Sequence, residues 1–260
     1  MTEQLFGNKV DLIQVSVFSS RADMGAAAGK DVADCIRLLH GQQEIVRMVF
    51  AAAPSQAELL SYLAAHTSID WKRIDVFHMD EYIGLPPEAP QRFGFFLMEH
   101  LFKKVKPRRI HLINDSAELQ ETCMVYEKLL KEFPIDIVCL GVGENGHLAF
   151  NDPPVADFDD RETIKPVVLD QACRQQQVND GCFTSLNNVP LQALTLTIPA
   201  LLSATYLFCV VPAKTKSVAV KNLLEGNIAA ACPASILRTH NNCRLYVDMD
   251  SYSLVTAKHS

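Results

Sequence analysis

Short apolar runs rich in β-branched residues alternate along the chain with longer segments in which apolar residues recur at helical spacing. Apolar runs of this kind predict strands, and the helical spacing predicts helices. The predicted strands cover residues 45–51, 73–78, 109–113, 135–140, 163–169, 193–198, 206–211 and 244–248. The predicted helices cover residues 22–40, 56–66, 91–104, 117–133 and 214–225. Strands that alternate with helices indicate a parallel sheet that is covered by helices.

The strands are unbroken apolar runs, such as "IDIVCLG" and "YLFCVV". Unbroken runs are typical of strands that are buried on both faces of a sheet. No proline- or serine-rich linker divides the chain, so we predict a single domain over residues 1–260. The expected fold class is α/β, with a single doubly wound, mostly parallel sheet, helices on both faces and a Rossmann-like architecture.

Composition and charge narrow the functional classes. Apolar residues make up 48% of the 260 residues and charged residues 21%, which is typical of a globular enzyme and excludes a disordered chain. The net charge of −6 argues against a nucleic-acid or membrane partner, since both usually require a basic face. The eight cysteines are scattered without a C-x-x-C pair, and no signal peptide opens the chain. We therefore expect a cytoplasmic protein with reduced thiols.

Polar and glycine-rich segments follow two of the predicted strands, where doubly wound sheets bind their ligands. The segment "HMDEYIGLPPEAP" places the adjacent carboxylates Asp80 and Glu81 at the end of strand 73–78, although a solvated turn has the same composition. The segment "GVGENGHLAFNDP" follows strand 135–140 and contains three glycines and His147. Its glycines allow a close approach of the backbone to a ligand, and a plain turn with a structural histidine is the alternative.

Small and basic residues follow two further strands. In "AAAPSQAE", helix amides attract an anion, or Ser55 serves only as a cap. In "PAKTKSVAVKNLLEG", Lys214 and Lys216 oppose the helix dipole and so suggest a bound anion, although surface lysines are common. No H-E-x-x-H, Walker A or G-x-S-x-G motif is present, so we expect neither a metal nor a cofactor. Of the chemistries considered, acid/base chemistry on a small anionic ligand is the one that fits these segments.

Three segments carry a resemblance to a known family: "FHMDEYIGLPPEAPQRFGFFLMEHLF", "LGVGENGHLAFNDP" and "AKTKSVAVKNLLEG". Together they resemble the glucosamine-6-phosphate deaminase (isomerase) family, which is kin to the 6-phosphogluconolactonases and has the ribose-5-phosphate-isomerase-like fold. The lactonase branch typically has G-D-E-R where this chain has M-D-E-Y, which favours the amino-sugar branch. The resemblance implies conversion of glucosamine 6-phosphate, or galactosamine 6-phosphate, to a ketose 6-phosphate and ammonia.

The resemblance also implies catalytic roles. Asp80 matches the base that moves a proton between C1 and C2 of the sugar, and His147 matches the acid/base that opens the pyranose ring. Asp152 matches the family's glutamate that supports the histidine. Asn145 replaces an aspartate beside the histidine, and an asparagine orients the ring without stabilising its cationic form. We expect the substrate and its phosphate to contact Ala52, Ala53, Ser55, Glu81, Gly143, Gly146 and Lys216.

Departures from the family pattern keep other functions open. The phosphate loop has alanines where the family usually has glycine and threonine, and an expected arginine before strand 193–198 is replaced only by the displaced Arg174. A 6-phosphogluconolactonase-type hydrolase and a non-catalytic sugar-phosphate sensor are the alternatives. The expected partner is a small sugar phosphate, and a homo-oligomer is compatible because the family includes monomers and larger assemblies.

Overall fold

The structure, a computed structural model, describes residues 4–114 and 118–256. The strands are β1 (Gln4–Val10), β2 (Ile13–Phe18), β3 (Val46–Phe50), β4 (Ile74–His78), β5 (Asp80–Tyr82), β6 (Arg109–His111), β7 (Ile137–Leu140), β8 (Ile164–Val168), β9 (Gln192–Leu196), β10 (Tyr206–Val211) and β11 (Cys243–Asp248). The α-helices are α1 (Arg21–His40), α2 (Ala57–Ala65), α3 (Phe93–Leu97), α4 (Lys103–Val105), α5 (Leu119–Lys131), α6 (Gln171–Asn179), α7 (Ile198–Leu202), α8 (Ser217–Glu225) and α9 (Met249–Tyr252).

Eight strands form the main sheet in the order β1-β2-β11-β10-β7-β3-β4-β6. Every neighbouring pair is parallel except β1 and β2, which form an antiparallel hairpin at one edge. The α/β fold with a mostly parallel sheet is therefore confirmed. Along the chain, the sheet grows from β3 toward β4 and β6, and then from β7 toward β10 and β11. The order thus reverses between β3 and β7, and such a switch point leaves a crevice at the strands' carboxyl ends.

Apolar side chains cover both faces of this sheet. In β3, Met48 and Phe50 pack in one cluster with Ala28 of α1 and Leu59 of α2. Val49 points the other way and belongs to a second cluster, which includes α8. Successive residues of a strand face opposite sides, so an unbroken apolar run is what a sheet covered on both faces requires.

A second, antiparallel sheet of three strands has the order β5-β9-β8. The predicted strands at 163–169 and 193–198 do form, but they lie in this small sheet instead of the main one. Their third partner is β5, a segment of three residues that the sequence placed in a loop. Pairing with β9 satisfies the backbone of β5 and buries it, which is why acidic residues stand in a strand here.

The predicted helices agree best with the structure where the predicted segment is long. Helix α1 begins at the N-cap Ser20, whose side chain accepts a hydrogen bond from the amide of Asp23, and it ends at Gly41. The helix predicted over 91–104 is interrupted by a π-helical turn, Met98–Phe102, between α3 and α4. Residue 117, the first of the helix predicted over 117–133, lies outside the described residues. The hairpin β1–β2 and helix α6 were not predicted.

None of the helices in the described ranges is both long enough and apolar enough to cross a bilayer.

Candidate active site

A cleft lies at the carboxyl ends of β3, β4, β7 and β10, where the strand order reverses. Its volume is about 880 Å³ when the open mouth is included. The predicted site residues that line it are Ala52, Ala53, Ser55, Asp80, Gly143, His147 and Lys216. The four strand-end segments singled out in the sequence therefore meet at one place. We call the group formed by Asp80, Asn145, His147 and Asp152 the acid/base end, and the group formed by Ala52, Ala53, Ser55 and Lys216 the anion end.

Asp80 is the first residue of β5 and pairs with Thr195 of β9. Asp80 is 7% exposed and lines the cleft, and its side chain has no hydrogen-bond or ion-pair partner among the described residues. Burial, and secondarily the charge of Glu81, raises the pKa of Asp80 well above the ordinary value of 3.8. A carboxylate in this state binds a proton more strongly than an ordinary aspartate does.

Glu81 is adjacent in sequence but is held differently. Its carboxylate accepts hydrogen bonds from the amides of Tyr82 at 2.9 Å, Phe93 at 3.1 Å and Gly94 at 3.0 Å. It also lies 3.5 Å from the Nε atom of Arg92. Glu81 is outside the residues that line the cleft, because its side chain points away from it and anchors β5 to the start of α3. Its position gives no support to the prediction of a substrate contact.

The imidazole of His147 lies directly over the backbone of Gly143. A Cβ atom at residue 143 would stand 2.1 Å from the His147 Cε1 atom, so only glycine fits. The loop is closed by hydrogen bonds from the Gly143 amide to the His147 carbonyl and from the Gly146 amide to the Gly143 carbonyl, each 3.0 Å. Gly146 has a φ of +86°, which glycine adopts readily. Both glycines hold the histidine. Gly143 also lines the cleft, whereas Gly146 is outside the residues that line it, so its position gives no support to the prediction of a substrate contact.

Two side chains fix the tautomer of His147. Its Nδ1 atom lies 2.8 Å from Oδ1 of Asn145 and 2.9 Å from Oδ1 of Asp152. The Asn145 Nδ2 atom donates to the same Asp152 oxygen at 2.8 Å, so the asparagine presents its oxygen to the ring. Both neighbours of Nδ1 are then acceptors, and Nδ1 carries the proton. In the neutral ring, Nε2 is left unprotonated.

Asp152 is 1% exposed and still ionises easily. Burial alone would raise the pKa of Asp152, but the hydrogen bond and charge of His147 and the hydrogen bonds of Asn145 and Cys173 lower it below 3.8. The described part of the chain holds one group of three potential metal ligands, formed by His147, Asp152 and Cys173 within 4.8 Å. Burial raises the pKa of the Cys173 thiol, which hydrogen-bonds to Asp152. The three side chains therefore form a hydrogen-bonded chain.

The loop after β3 forms the floor of the anion end. It enters α2 through the 3₁₀ turn Pro54–Gln56. The Gln56 Nε2 atom donates to Ser55 Oγ and to the Val210 carbonyl, both at 3.3 Å, and so ties this loop to the neighbouring strand β10. The alanines offer only backbone amides, and amides at a helix start attract anions.

Lys216 supplies the positive charge of the anion end. Lys216 is 6% exposed and is the last residue of a 3₁₀ turn that leads into α8. Burial lowers the pKa of Lys216, while the nearby charges of Asp180 and Glu144 partly oppose that effect. The turn follows Ala213, whose φ of +80° is strained for a residue with a Cβ atom, and whose amide donates to both oxygens of Asp248.

Some lining residues were not predicted from the sequence. They include Arg21 at the start of α1, Phe93 of α3, and the α6 residues Gln176 and Gln177 with Asp180 after them. Arg174, the displaced arginine, lies on α6 outside the residues that line the cleft, and it donates instead to the carbonyls of Leu186 and Val189. Helical period in the glutamine-rich stretch of α6 is weak, and no sequence signal connects Arg21 to a site so far away along the chain.

Comparisons with known proteins identify chains with a similar sequence. Residues 19–246 match the family described as glucosamine-6-phosphate isomerases/6-phosphogluconolactonase. A protein of Giardia intestinalis named glucosamine-6-phosphate deaminase 1 is 34% identical over 237 residues, which cover 85% of this chain and 86% of that protein. A glucosamine-6-phosphate deaminase of Halothermothrix orenii is 32% identical over 191 residues, which cover 72% of this chain and 77% of that protein.

Solved structures add a comparison of folds. A structure described as a monomeric glucosamine-6-phosphate deaminase superposes with a TM-score of 0.84 at 29% identity, and the match covers 92% of this chain and 99% of that one. A 6-phosphogluconolactonase of Thermotoga maritima superposes with a TM-score of 0.75 at 18% identity, covering 91% and 99% of the two chains. The second likeness concerns the fold alone.

Proposed function

Because the chain belongs to the family of glucosamine-6-phosphate isomerases and 6-phosphogluconolactonases, we propose that it is an amino-sugar-phosphate deaminase. The reaction converts glucosamine 6-phosphate, or galactosamine 6-phosphate, with water to the ketose 6-phosphate and ammonia. One observation carries the proposal: the partner-free carboxylate of Asp80 and the imidazole of His147 line the same cleft. Relatives above 30% identity that are named glucosamine-6-phosphate deaminase support it.

Ring opening is the first step. With the proton of His147 fixed on Nδ1 by Asn145 and Asp152, the unprotonated Nε2 atom accepts the proton of the C1 hydroxyl group. The imidazolium that forms is stabilised by the ionised Asp152, and it returns a proton to the ring oxygen as the C1–O5 bond breaks. The product of this step is the open-chain amino aldehyde.

Proton transfer between carbons is the second step, and Asp80 performs it. Its carboxylate removes the proton from C2 while the carbonyl oxygen at C1 takes a proton from the substrate's ammonium group, which gives a neutral enolamine. The protonated Asp80 then gives its proton to C1, which leaves an iminium group at C2 and regenerates the carboxylate. The raised pKa of Asp80 suits this task, because a stronger base is better matched to a carbon acid. Water then adds to C2, and the C–N bond breaks to release ammonia and leave the ketone.

The anion end binds the phosphate group, remote from these carbons. Lys216 supplies charge, and Ser55 with the backbone amides of the loop supplies hydrogen-bond donors. Gly143 lines the same cleft, so its backbone lies beside the bound sugar. Binding energy from the phosphate holds the reacting carbons against Asp80 and His147.

A panel assay tests the proposal. Purified protein is incubated with glucosamine 6-phosphate, galactosamine 6-phosphate and mannosamine 6-phosphate, and ammonia and ketose 6-phosphate are measured together. Hydrolysis of 6-phosphogluconolactone is measured in parallel, because the family also contains lactonases. Stoichiometric release of ammonia and ketose phosphate from one hexosamine phosphate is expected. Lactone hydrolysis alone would replace the proposal with the lactonase, and tight binding without turnover would replace it with the sensor.

We also infer a cytoplasmic location. All eight cysteines are free thiols, most of them buried, which suits a reducing compartment. The proposed partner is the sugar phosphate itself.

A further inference from the structure

We propose that Arg21 is a second cationic ligand of the substrate's phosphate group, in addition to Lys216. The inference rests on the proposed function, because it concerns the same cleft. Arg21 is the first residue of α1 and lies far from the other site residues along the chain, yet its side chain lines the cleft beside the loop that follows β3.

The guanidinium of Arg21 is held in place by two contacts. Its Nε atom lies 2.6 Å from Oε1 of Glu58, and its Nη2 atom donates to the carbonyl of Pro54 in the loop at the anion end. The side chain of Arg21 keeps 38% exposure, so its head group is reachable by a ligand in the cleft. Because of these two contacts, the guanidinium of Arg21 is fixed in position before any ligand binds.

Close packing of two helices creates this arrangement. A Cβ atom at Gly25 would stand 2.2 Å from the Cβ atom of Glu58, and one at Gly29 would stand 2.6 Å from the Cβ atom of Tyr62. Because glycines occupy these two positions, α1 approaches α2 closely enough for its first residue to reach the loop ahead of α2. The placement of Arg21 is therefore built into the helix pair.

The charge of the anion end calls for a second cation. A phosphate monoester carries about −1.5 to −2 charges near pH 7. Among the described residues that line the cleft, only Arg21 and Lys216 are lysine or arginine, and the anion Asp180 lines it as well. Asp180 acts electrostatically on Lys216, so part of the lysine's charge is already offset. Without Arg21, the anion end would present too little positive charge to a dianion.

Hydrogen-bond donors lead to the same assignment. The loop after β3 contains alanines, which offer no side-chain donors to a phosphate. A guanidinium has five N–H groups, and the two contacts to Glu58 and Pro54 use two of them. The remaining three lie on the terminal nitrogens, in the planar arrangement that suits phosphate oxygens.

A purely structural role of Arg21 predicts a different effect of Glu58→Gln on phosphate binding. If Arg21 only braced α1 against α2, the Glu58→Gln variant, which removes the ion pair, would weaken phosphate binding as much as a change of Arg21. If Arg21 binds phosphate, Glu58→Gln leaves binding unchanged or strengthens it, because the guanidinium is no longer partly neutralised. The two roles therefore predict different results for the same variant.

The experiment measures the affinity for inorganic phosphate by ³¹P NMR titration of the full-length protein. The variants are Arg21→Ala, Arg21→Gln, Glu58→Gln and Lys216→Ala. Arg21→Gln keeps a donor for the Pro54 carbonyl and removes only the charge, so it serves if Arg21→Ala does not fold. Arg37→Ala, a change of an exposed arginine near the other end of α1, is the matched control.

We expect Arg21→Ala and Arg21→Gln each to weaken phosphate binding by about 10- to 100-fold, with Arg37→Ala unchanged and Glu58→Gln unchanged or tighter. Binding within twofold of the unsubstituted protein in both Arg21 variants, while Lys216→Ala loses affinity, would overturn the inference and leave the proposed function standing. Equal weakening by Glu58→Gln and Arg21→Gln would also overturn it. Loss in none of the variants, or no binding by the unsubstituted protein, would count against the phosphate site itself.

Discussion

The two ends of the cleft hold their polar groups in different ways. At the acid/base end, His147, Asn145 and Asp152 form a closed hydrogen-bonded network with heavy-atom distances of 2.8–2.9 Å. At the anion end, Lys216 lies among small residues, and its side chain makes no hydrogen bond or ion pair to the described residues. Proton transfer requires one tautomer and a tuned pKa, which only fixed neighbours provide. Anion binding requires positive charge and donors, which many arrangements supply.

This difference predicts how the two ends respond to substitution. A change at the acid/base end should affect turnover, because Asp80 and His147 act on bonds that are made or broken and the other two residues hold His147. A change at the anion end should affect binding, because the phosphate contacts are the same in the ground state and the transition state.

The largest effect is expected for Asp80→Asn, which keeps the side-chain shape and removes the base. We expect kcat to fall by about 10²–10⁴-fold with KM within a few fold of the original value. Exchange of solvent deuterium into fructose 6-phosphate in the presence of ammonium should fall with it, since that exchange needs imine formation at C2 and the C1/C2 proton transfer. The matched control is Asp34→Asn, an exposed aspartate on α1 that pairs with Lys30 and Arg37. Exchange that survives intact in Asp80→Asn would show that another group is the base.

His147→Gln is expected to slow turnover of the closed sugar more than it slows deuterium exchange. Its reaction with the closed pyranose should slow by about 10²-fold, because the general acid/base of ring opening is removed. Deuterium exchange into fructose 6-phosphate should suffer less, because a small fraction of that ketose is already open in solution. His100→Gln, at an exposed position, is the control. Equal losses in both assays would contradict a separate ring-opening role for His147.

At the anion end, Lys216→Ala should raise KM by about 10- to 100-fold and change kcat by less than about threefold. Lys214→Ala is the matched control, because Lys214 belongs to the same 3₁₀ turn and is exposed. Steady-state kinetics on the substrate identified by the panel assay gives both constants. A fall in kcat with KM unchanged would place Lys216 at the reacting carbons and break the distinction between the two ends.

The same difference explains how much could be predicted from the sequence. The acid/base end was accessible because most of its parts lie within one short stretch, from Gly143 to Asp152, in which the glycines and the histidine are close in sequence. Strand β10 was predicted with its observed bounds, since an unbroken apolar run between polar turns has few other interpretations. The strands beside the switch point, β3 and β7, were also predicted from unbroken apolar runs.

The remaining features depend on contacts between distant segments. Strand β5 was missed because its pairing with β9 overrides the loop preference of acidic residues. The hairpin β1–β2 was missed because its first strand is largely exposed and lacks an unbroken apolar run. Arg21 reaches the cleft only because two glycines let α1 pack closely on α2, and Glu81 is removed from the cleft by three amides that its own neighbours supply.

The smallest effects concern stability, and they separate the adjacent carboxylates Asp80 and Glu81. The raised pKa of Asp80 means that, above the unfolded-state value of 3.8, the folded state binds more protons than the unfolded state. Stability is therefore lost as the pH rises from that value through the folded-state pKa, and the loss is complete above it.

Asp80→Asn removes this buried, unpartnered charge, so its melting temperature at pH 7 should rise by about 2–4 °C for each kcal/mol recovered. Glu81→Gln should lower it, because an amide cannot accept all of the hydrogen bonds that the Glu81 carboxylate accepts. Calorimetric scans of both variants at pH 7 measure these shifts. A lower melting temperature for Asp80→Asn would mean that its carboxylate stabilises the fold, and a higher one for Glu81→Gln would mean that the anchor of β5 lies elsewhere.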